Sequence, residues 1–481
     1  MGRSAEESVS TSSPGNTPTS SPGKMPISSL GNLPTQSDEK VSTVKLKKSS
    51  GGSSSSIRSF TRAALRALLL LCGIYAAVYK PLPPAFTATT LDRTLMHIIE
   101  PTLRLTYYYP TRICPDIRCM VWWTRLTLNT LAGLIGPIVD WDPQMHMETT
   151  HFDGVKVRVY TMRASAANET RSDGAVIFIH GGGFVLGNIQ MYESLTRRMA
   201  KRLRARLFIS VDYRLAPETF FPGGLEDCER VVEYVMREGP TAYGIDPSKI
   251  VLMGDSAGGN LVAAITQRRK ERNASPPVLG QVLMYPLLQL SDLQSASYRY
   301  FHRELDGFAL VDPLSVAYYY MYYAGLDVLN HPEWAHAAVT NGHVDDENRR
   351  IADEILDYSS LPAHFQEDGS NGTVTPRAPV DVNEEARAAL APLLSNPDFA
   401  PIMRKNLTGL PPALVMTVEF DVLRDEGAMY AKRLADAGVP TNWVHYEHGF
   451  HAMLNFHNEL QIATDAMNKV IDWSHDLIVS A

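Results

Sequence analysis

From about residue 154 onward, apolar and polar positions follow a regular rhythm. Val155–Tyr160 alternates as a half-exposed strand does, while Ala175–Ile179, Leu207–Val211, Ile250–Met253 and Leu414–Val418 are short uninterrupted apolar runs. Continuous runs suit strands buried on both faces. Helical stretches fall between them, at Leu195–Leu203, Leu225–Glu238, Gly258–Arg272 and Glu426–Ala437. Strand and helix in alternation predict an α/β fold with a mostly parallel sheet covered by helices. The rhythm breaks at about 290–400, where Tyr-rich and polar irregular segments predict an insertion or lid.

Upstream the pattern differs. Met1–Ser56 contains no Phe, Tyr or Trp, and 17 of its 56 residues are Ser interleaved with Pro and Gly. Such a stretch cannot bury enough apolar surface to offset its ordering entropy, which predicts a disordered tail over 1–56. Next comes an uncharged run, Ala67–Tyr79. Taken with Ala63–Arg66 and snorkelling of Arg62 and Arg66, it makes a helix of about 25 Å against a hydrocarbon layer of about 30 Å, a short signal anchor over 63–80. A buried core helix or a surface-lying amphipathic helix is the alternative. Lys45, Lys47, Lys48, Arg58, Arg62 and Arg66 precede the run and only Lys80 directly follows it, so the tail is expected in the cytoplasm and the body across the membrane. Residues 81–150 form a membrane-proximal cap region. Within it the run Leu126–Val139 is broken by Gly133, Gly136 and Pro137, and reads as an apolar cap over a site or a segment dipping into one leaflet. The catalytic body is expected over 151–481.

Composition narrows the class. With 44% hydrophobic and 20% charged residues in 481, collagen-like, wholly disordered and polytopic membrane classes are excluded. The net charge of −7 divides into +4 over residues 1–62 (eight Lys/Arg, four Asp/Glu) and −11 over the rest, which offers no basic surface for nucleic acid. Cys72, Cys114, Cys119 and Cys228 are too few for a disulfide scaffold and lack zinc-type spacing, although Cys114 and Cys119 are close enough in sequence to pair locally or to stay free. Asn168, Asn273, Asn371 and Asn406 each begin a glycosylation tripeptide, which agrees with a lumenal body.

The chemistry is concentrated in a few turns. Gly254-Asp255-Ser256-Ala257-Gly258 lies between the Ile250–Met253 strand and a helix, the setting of a nucleophile elbow that lifts the Ser256 hydroxyl above a sheet. His180-Gly181-Gly182-Gly183 follows the Ala175–Ile179 strand directly. Glycines let backbone N–H groups approach a developing oxyanion; Gly181 and Gly182 are the expected donors, completed by Ala257. His180 is expected to brace that loop, with Gly183 and Asp255 in support. Downstream, Asp421 follows the Leu414–Phe420 strand and is the expected acid, in competition with Glu419, Asp425 and Glu426. His451 is the expected base, with His448 as the alternative; both fall in a loop beyond an apparent strand Trp443–Tyr446 that holds His445. A Ser-His-Asp set of this kind performs acyl transfer without metal or organic cofactor.

His180-Gly-Gly-Gly-Phe184, Asp212-Tyr-Arg-Leu-Ala-Pro-Glu218, Phe221-Pro-Gly-Gly-Leu-Glu-Asp227, Gly254-Asp-Ser-Ala-Gly-Gly-Asn260, Asp421-Val-Leu-Arg-Asp-Glu-Gly427 and His448-Gly-Phe-His451 together resemble the hormone-sensitive-lipase-like branch of the α/β-hydrolases, and within it the arylacetamide deacetylase and neutral cholesterol ester hydrolase group. The likeness runs from about Leu68 to the C-terminus and includes Tyr79-Lys-Pro-Leu-Pro83 after the anchor. It implies a single-pass, type II serine esterase of the endoplasmic reticulum membrane with a lumenal site, acting on small lipophilic esters or acetylated aryl amines. Relatives that serve as receptors lose a member of the Ser-His-Asp set, and this chain has all three. Two features depart from the group. Val185 and Val418 stand where its members carry a cysteine pair, and the long Ser-rich tail is unusual among them.

Overall fold

The computed structural model describes residues 52–83, 86, 89–109, 113, 114, 116–135, 142–162, 172–301, 305, 311–366 and 380–481. The Ser-rich tail up to residue 51, Asn168 and Asn371 lie outside the described residues.

Eight strands form one sheet: β1 (Met145–Phe152), β2 (Val155–Met162), β3 (Ser172–Ile179), β4 (Ala205–Asp212), β5 (Ile250–Asp255), β6 (Gly280–Met284), β7 (Ala413–Phe420) and β8 (Thr441–Phe450). Their spatial order is β1-β2-β4-β3-β5-β6-β7-β8, antiparallel where β2 meets β1 and β4 and parallel everywhere else. The uninterrupted apolar runs are the central strands. Ile177 of β3 pairs with Ile209 of β4 on one side and Leu252 of β5 on the other, and all three are fully buried. Val155–Tyr160 shows the expected alternation, with Val155, Val157 and Val159 buried and Lys156 and Arg158 half-buried between them.

Fourteen helices are described: α1 (Gly52–Val78), α2 (Thr90–Leu103), α3 (Ile117–Ile135), α4 (Glu193–Leu203), α5 (Gly223–Tyr243), α6 (Ala257–Glu271), α7 (Ala296–Tyr300), α8 (Pro313–Tyr323), α9 (Pro332–Val339), α10 (Asp346–Ile355), α11 (Ala363–Gln366), α12 (Glu384–Leu394), α13 (Arg424–Asp436) and α14 (Gln461–Ser480). Beside the sheet, α5 packs against α6, and α4 against α14. Parallel strands with helical crossovers bring every strand-to-helix turn to one edge, so the residues after β3, β5, β6 and β7 gather there.

Several expectations change. The helix expected over 63–80 begins at Gly52, inside the segment read as tail. Strand β1 belongs to the sheet, so the body starts near residue 142 rather than 151; its Met-His-Met-Glu-Thr-Thr pattern offers only Met145 and Met147 as an apolar face, half-buried against the core. Strand β6 is only five residues with Gly and Gln in its first two positions, too short a run to read as a strand. The insertion between β6 and β7 is not irregular where described, since it holds α7 to α12. Cys114 and Cys119 are disulfide-bonded.

The cap region is fastened to the body by polar contacts. Thr89 caps α2 by accepting from Asp92 N–H at 3.0 Å, and the buried Asp92 carboxylate in turn accepts the N–H groups of Gln461 and Ile462 at the start of α14 (3.0 and 3.4 Å). An acidic side chain at a helix N-terminus satisfies its orphan donors and its dipole. Arg125 of α3 donates to the carbonyls of Val185 and Ala216 and pairs with Glu218 at 2.8 Å.

Candidate active site

Ser256 has φ 53° and ψ −120°, in the one-residue turn between β5 and α6. The left-handed region is costly for a side chain other than glycine, and the neighbours over-determine it. A Cβ on Gly258 would come 2.0 Å from the Ile179 carbonyl oxygen, and one on Gly254 would come 2.4 Å from the Gly258 carbonyl, so only glycine lets the turn close against β3. Ser256 N–H donates to Met284 O at 2.9 Å, which ties the turn to β6.

The Ser256 hydroxyl is 3.0 Å from His451 Nε2, and His451 Nδ1 is 2.8 Å from Asp421 Oδ2. All three residues are buried. Asp421 stands directly after β7, where its other oxygen accepts Leu423 N–H at 3.0 Å. Strand β8 runs on to Phe450, so His448 lies within the strand and not in the loop expected from the sequence; His451 is the first residue past its end. A register shift in the pairing between Val418 and Phe420 brings Phe450 opposite Phe420 and so sets His451 beside Asp421.

The other acidic candidates are engaged elsewhere. Glu426 accepts from Leu288 N–H (2.6 Å) and Gln289 (2.8 Å), and its burial pushes the carboxyl well above the usual range. Asp425 accepts from Ser297 N–H and Arg424. Burial raises Glu419, but the hydrogen bond with His445 and the charge of Arg424 outweigh it and hold Glu419 below its ordinary value.

The glycine loop requires one correction. Gly181 N–H donates to Asp255 Oδ1 at 2.8 Å, so it cannot serve a substrate oxygen. Among the described residues, the N–H groups of Gly182, Gly183 and Ala257 have no protein acceptor. These three, and not Gly181, are the N–H groups left unengaged at the turn. Gly182 (φ 111°) and Gly183 (φ 61°) both need glycine, since added Cβ atoms would meet Leu186 O at 2.3 Å and the Tyr319 ring at 2.5 Å. Asp255 holds this loop from below: its second oxygen accepts the Tyr192 hydroxyl at 2.9 Å, and burial pushes its pKa up to about 6 against those two hydrogen bonds. His180 packs beneath the loop. Its Nδ1 lies 2.8 Å from Gly181 O, its ring stacks on Tyr213 at 4.5 Å, and burial lowers its pKa. Neither Tyr192 nor Tyr213 was recognisable by spacing, because each reaches the site only through the fold.

Among the described residues, no three His, Cys, Asp or Glu side chains come together in a way that could hold a metal ion. The expected tyrosine-rich lid segment is chiefly core: Tyr319, Tyr320, Tyr322 and Tyr323 of α8 are buried. Asn273 and Asn406 are exposed on the body.

A parallel sheet with a serine turn, a histidine beyond the last strand and a glycine loop on one edge defines an α/β-hydrolase. A family profile for the alpha/beta hydrolase fold matches residues 176–349 and 336–455, and the chain belongs to this family, in its hormone-sensitive-lipase-like branch. It is 32% identical to mouse neutral cholesterol ester hydrolase 1 over 344 residues, covering 69% of this chain and 80% of that one. Rat arylacetamide deacetylase is 31% identical over 342 residues, covering 69% and 81%. Among solved structures, a hyperthermophilic esterase from the archaeon Pyrobaculum calidifontis superposes with a TM-score of 0.54 at 26% identity, covering 74% of this chain and 93% of that one. The protein is a carboxylic ester hydrolase.

Proposed function

We propose that the protein is a membrane-anchored serine esterase that works through an acyl-enzyme on Ser256. The carrying observation is the hydrogen-bonded line Ser256 Oγ, His451 Nε2 and Asp421 Oδ2 (3.0 and 2.8 Å) next to three unengaged N–H groups. His451 takes the hydroxyl proton as Ser256 attacks the ester carbonyl, and returns it to the departing alkoxide. Asp421 fixes the imidazole tautomer and stabilises the imidazolium. Gly182, Gly183 and Ala257 donate to the oxyanion, a role in which a single donor is typically worth about 3 kcal/mol of barrier. Water activated by the same histidine then releases the acid.

Supporting the anchor, Ser59–Val78 is the one described helix long and apolar enough to cross a membrane, and its Leu65, Leu68, Leu69, Leu70 and Leu71 are exposed. With the positive charge ahead of it, the reading is a type II protein of the endoplasmic reticulum with a lumenal, glycosylated body. The substrates are small lipophilic esters with acetyl or longer acyl groups, with arylacetamides as a further class. A lipid ester hydrolase, acting on cholesteryl esters or acylglycerols, is the second reading. It is favoured by the apolar groove on the cap described below.

Ser256→Ala in folded, purified protein should abolish hydrolysis of p-nitrophenyl butyrate. Activity above a trace would overturn the acyl-enzyme reading. Rates across an acyl series from acetate to oleate separate the two substrate classes, since a long-chain optimum selects the lipid ester.

A further inference from the structure

The cap helices carry an outward apolar face that the chemistry above does not use. On α2 and its continuation, Leu91, Ile98 and Leu105 recur every seven residues and are 64, 66 and 42% exposed, while Asp92, Met96, Glu100 and Pro101 face inward and are buried. On α3, Trp122, Trp123 and Leu126 are exposed, and Met120, Val121 and Thr124 are buried. Ile113, just before α3, is 75% exposed. The two elements meet where Thr127 donates to Thr106 O. Single exposed apolar residues are ordinary, but a contiguous set on two adjoining helices marks an interaction surface.

What covers it follows from chain continuity. The C-terminal end of the apolar α1 is bound along α2: Tyr75 hydroxyl donates to His97 O at 3.1 Å, the Tyr79 ring lies 5.7 Å from the His97 ring, and Arg93 donates to the carbonyls of Leu82 and Pro83 at 2.8 Å. The end of the apolar helix is therefore held against α2, whose outward stripe carries Leu91 and Ile98. Two adjacent tryptophans have the chemistry of the headgroup boundary, with an apolar ring and a polar N–H.

We propose that the outward faces of α2 and α3 lie in the lipid interface as a second membrane contact, and that this contact opens a substrate groove toward the bilayer. The inference rests on the anchor reading given above. A groove of about 670 Å³ runs between α3 and the turn after β4, lined by Val121, Trp122, Leu126, Arg118, Arg125 and Pro217. At its floor, the Arg125 guanidinium donates to Val185 O, two residues past Gly183 in the glycine loop. Lipid at the groove mouth would deliver an apolar ester to the cap without exposing it to water, which makes concentration in the bilayer the relevant substrate concentration.

The test uses the full chain reconstituted in phosphatidylcholine vesicles containing dibrominated lipid. Tryptophan emission of the parent should be quenched by bromolipid, and the Trp122→Phe/Trp123→Phe variant should lose most of that quenching. A second variant, Leu91→Gln/Ile98→Gln, should raise the apparent KM for a vesicle-embedded long-chain p-nitrophenyl ester at least fivefold and leave the rate on water-soluble p-nitrophenyl acetate unchanged, which also reports that it is folded. Equal quenching in parent and double variant would overturn the proposal, as would quenching of these two tryptophans by aqueous iodide instead, or their shielding from both quenchers. Flotation of the protein with the vesicles reports the anchor separately from the quenching, so failure of the anchor reading would not be mistaken for failure of this one.

Discussion

Asp255 precedes the serine and accepts two hydrogen bonds, from Gly181 N–H and the Tyr192 hydroxyl, in a fully buried position. It touches no substrate; it positions the loop that supplies Gly182 and Gly183. Its pKa of about 6 lies above the unfolded value of about 4, so the native state binds the proton more tightly. Its contribution to stability is therefore fully present below about pH 4 and is lost as pH rises to about 6, a cost on the order of 3 kcal/mol when it is ionised. Asp255→Asn, uncharged and of the same shape, should flatten that slope in a series of thermal melts and raise Tm at pH 8. It should also lower kcat about tenfold, because Asn offers one acceptor where two donors converge. Asp421→Asn has a different signature: kcat should fall by roughly 10³–10⁴ with little change in KM, through loss of the productive His451 tautomer. These residues differ in legibility. Ser256 and Asp421 stand out because each follows an apolar run, where a parallel sheet collects reactive groups, and His451 because it lies past the last strand pattern. Gly181 is not distinguishable from Gly182 and Gly183 in the sequence, because spacing cannot tell which of three successive N–H groups is already taken.

At the scale of elements, the glycine loop is held from above by the insertion. Phe184, the residue after Gly183, stacks on Tyr323 of α8 at 3.9 Å and 7°, and Tyr323 stacks in turn on Phe399. Tyr323 O also accepts Phe221 N–H at 2.6 Å. Tyr323→Ala should cost about 3–5 kcal/mol in urea unfolding, and at temperatures where it remains folded it should lower kcat by loosening the loop. Beside β7, the buried Arg424 is shared between Glu419 and Asp425 and lies over the Phe365 ring of α11 at 4.7 Å. Removing one partner of a buried charge leaves the others uncompensated, so Arg424→Met should destabilise by about 3–5 kcal/mol. The rhythm of strands and helices was legible over the body because fully buried strands have no polar face. The helices of the insertion were less so: α8 is apolar all round and shows no 3.6-residue stripe, α9 and α11 are short, and the amphipathic α10, with Asn348, Ala352 and Ile355 on its buried face, is embedded in a mostly polar segment.

Over the whole molecule, the charge asymmetry, the anchor and the glycosylation tripeptides bear on one another. Asn273, at φ 50° after α6, and Asn406, whose side chain accepts Thr408 N–H at 3.0 Å, are exposed on the body. If the body is lumenal, protein from mammalian cells should lose mass on treatment with peptide N-glycosidase, and Asn273→Gln/Asn406→Gln should remove part of that loss. A cytoplasmic body would give no mass change at all. Apolar runs and glycine-framed turns are local properties, and from them the sequence by itself determined the α/β-hydrolase fold and marked Ser256, Asp421 and His451 as its candidate serine, acid and base. Tertiary structure alone decided which loop N–H groups are unengaged, that Tyr192, Tyr213 and Arg125 support the site, and that the cap has an outward apolar face. The physical reason is the same in each case: a hydrogen bond or a burial between distant segments depends on where the chain returns, and no local pattern encodes that.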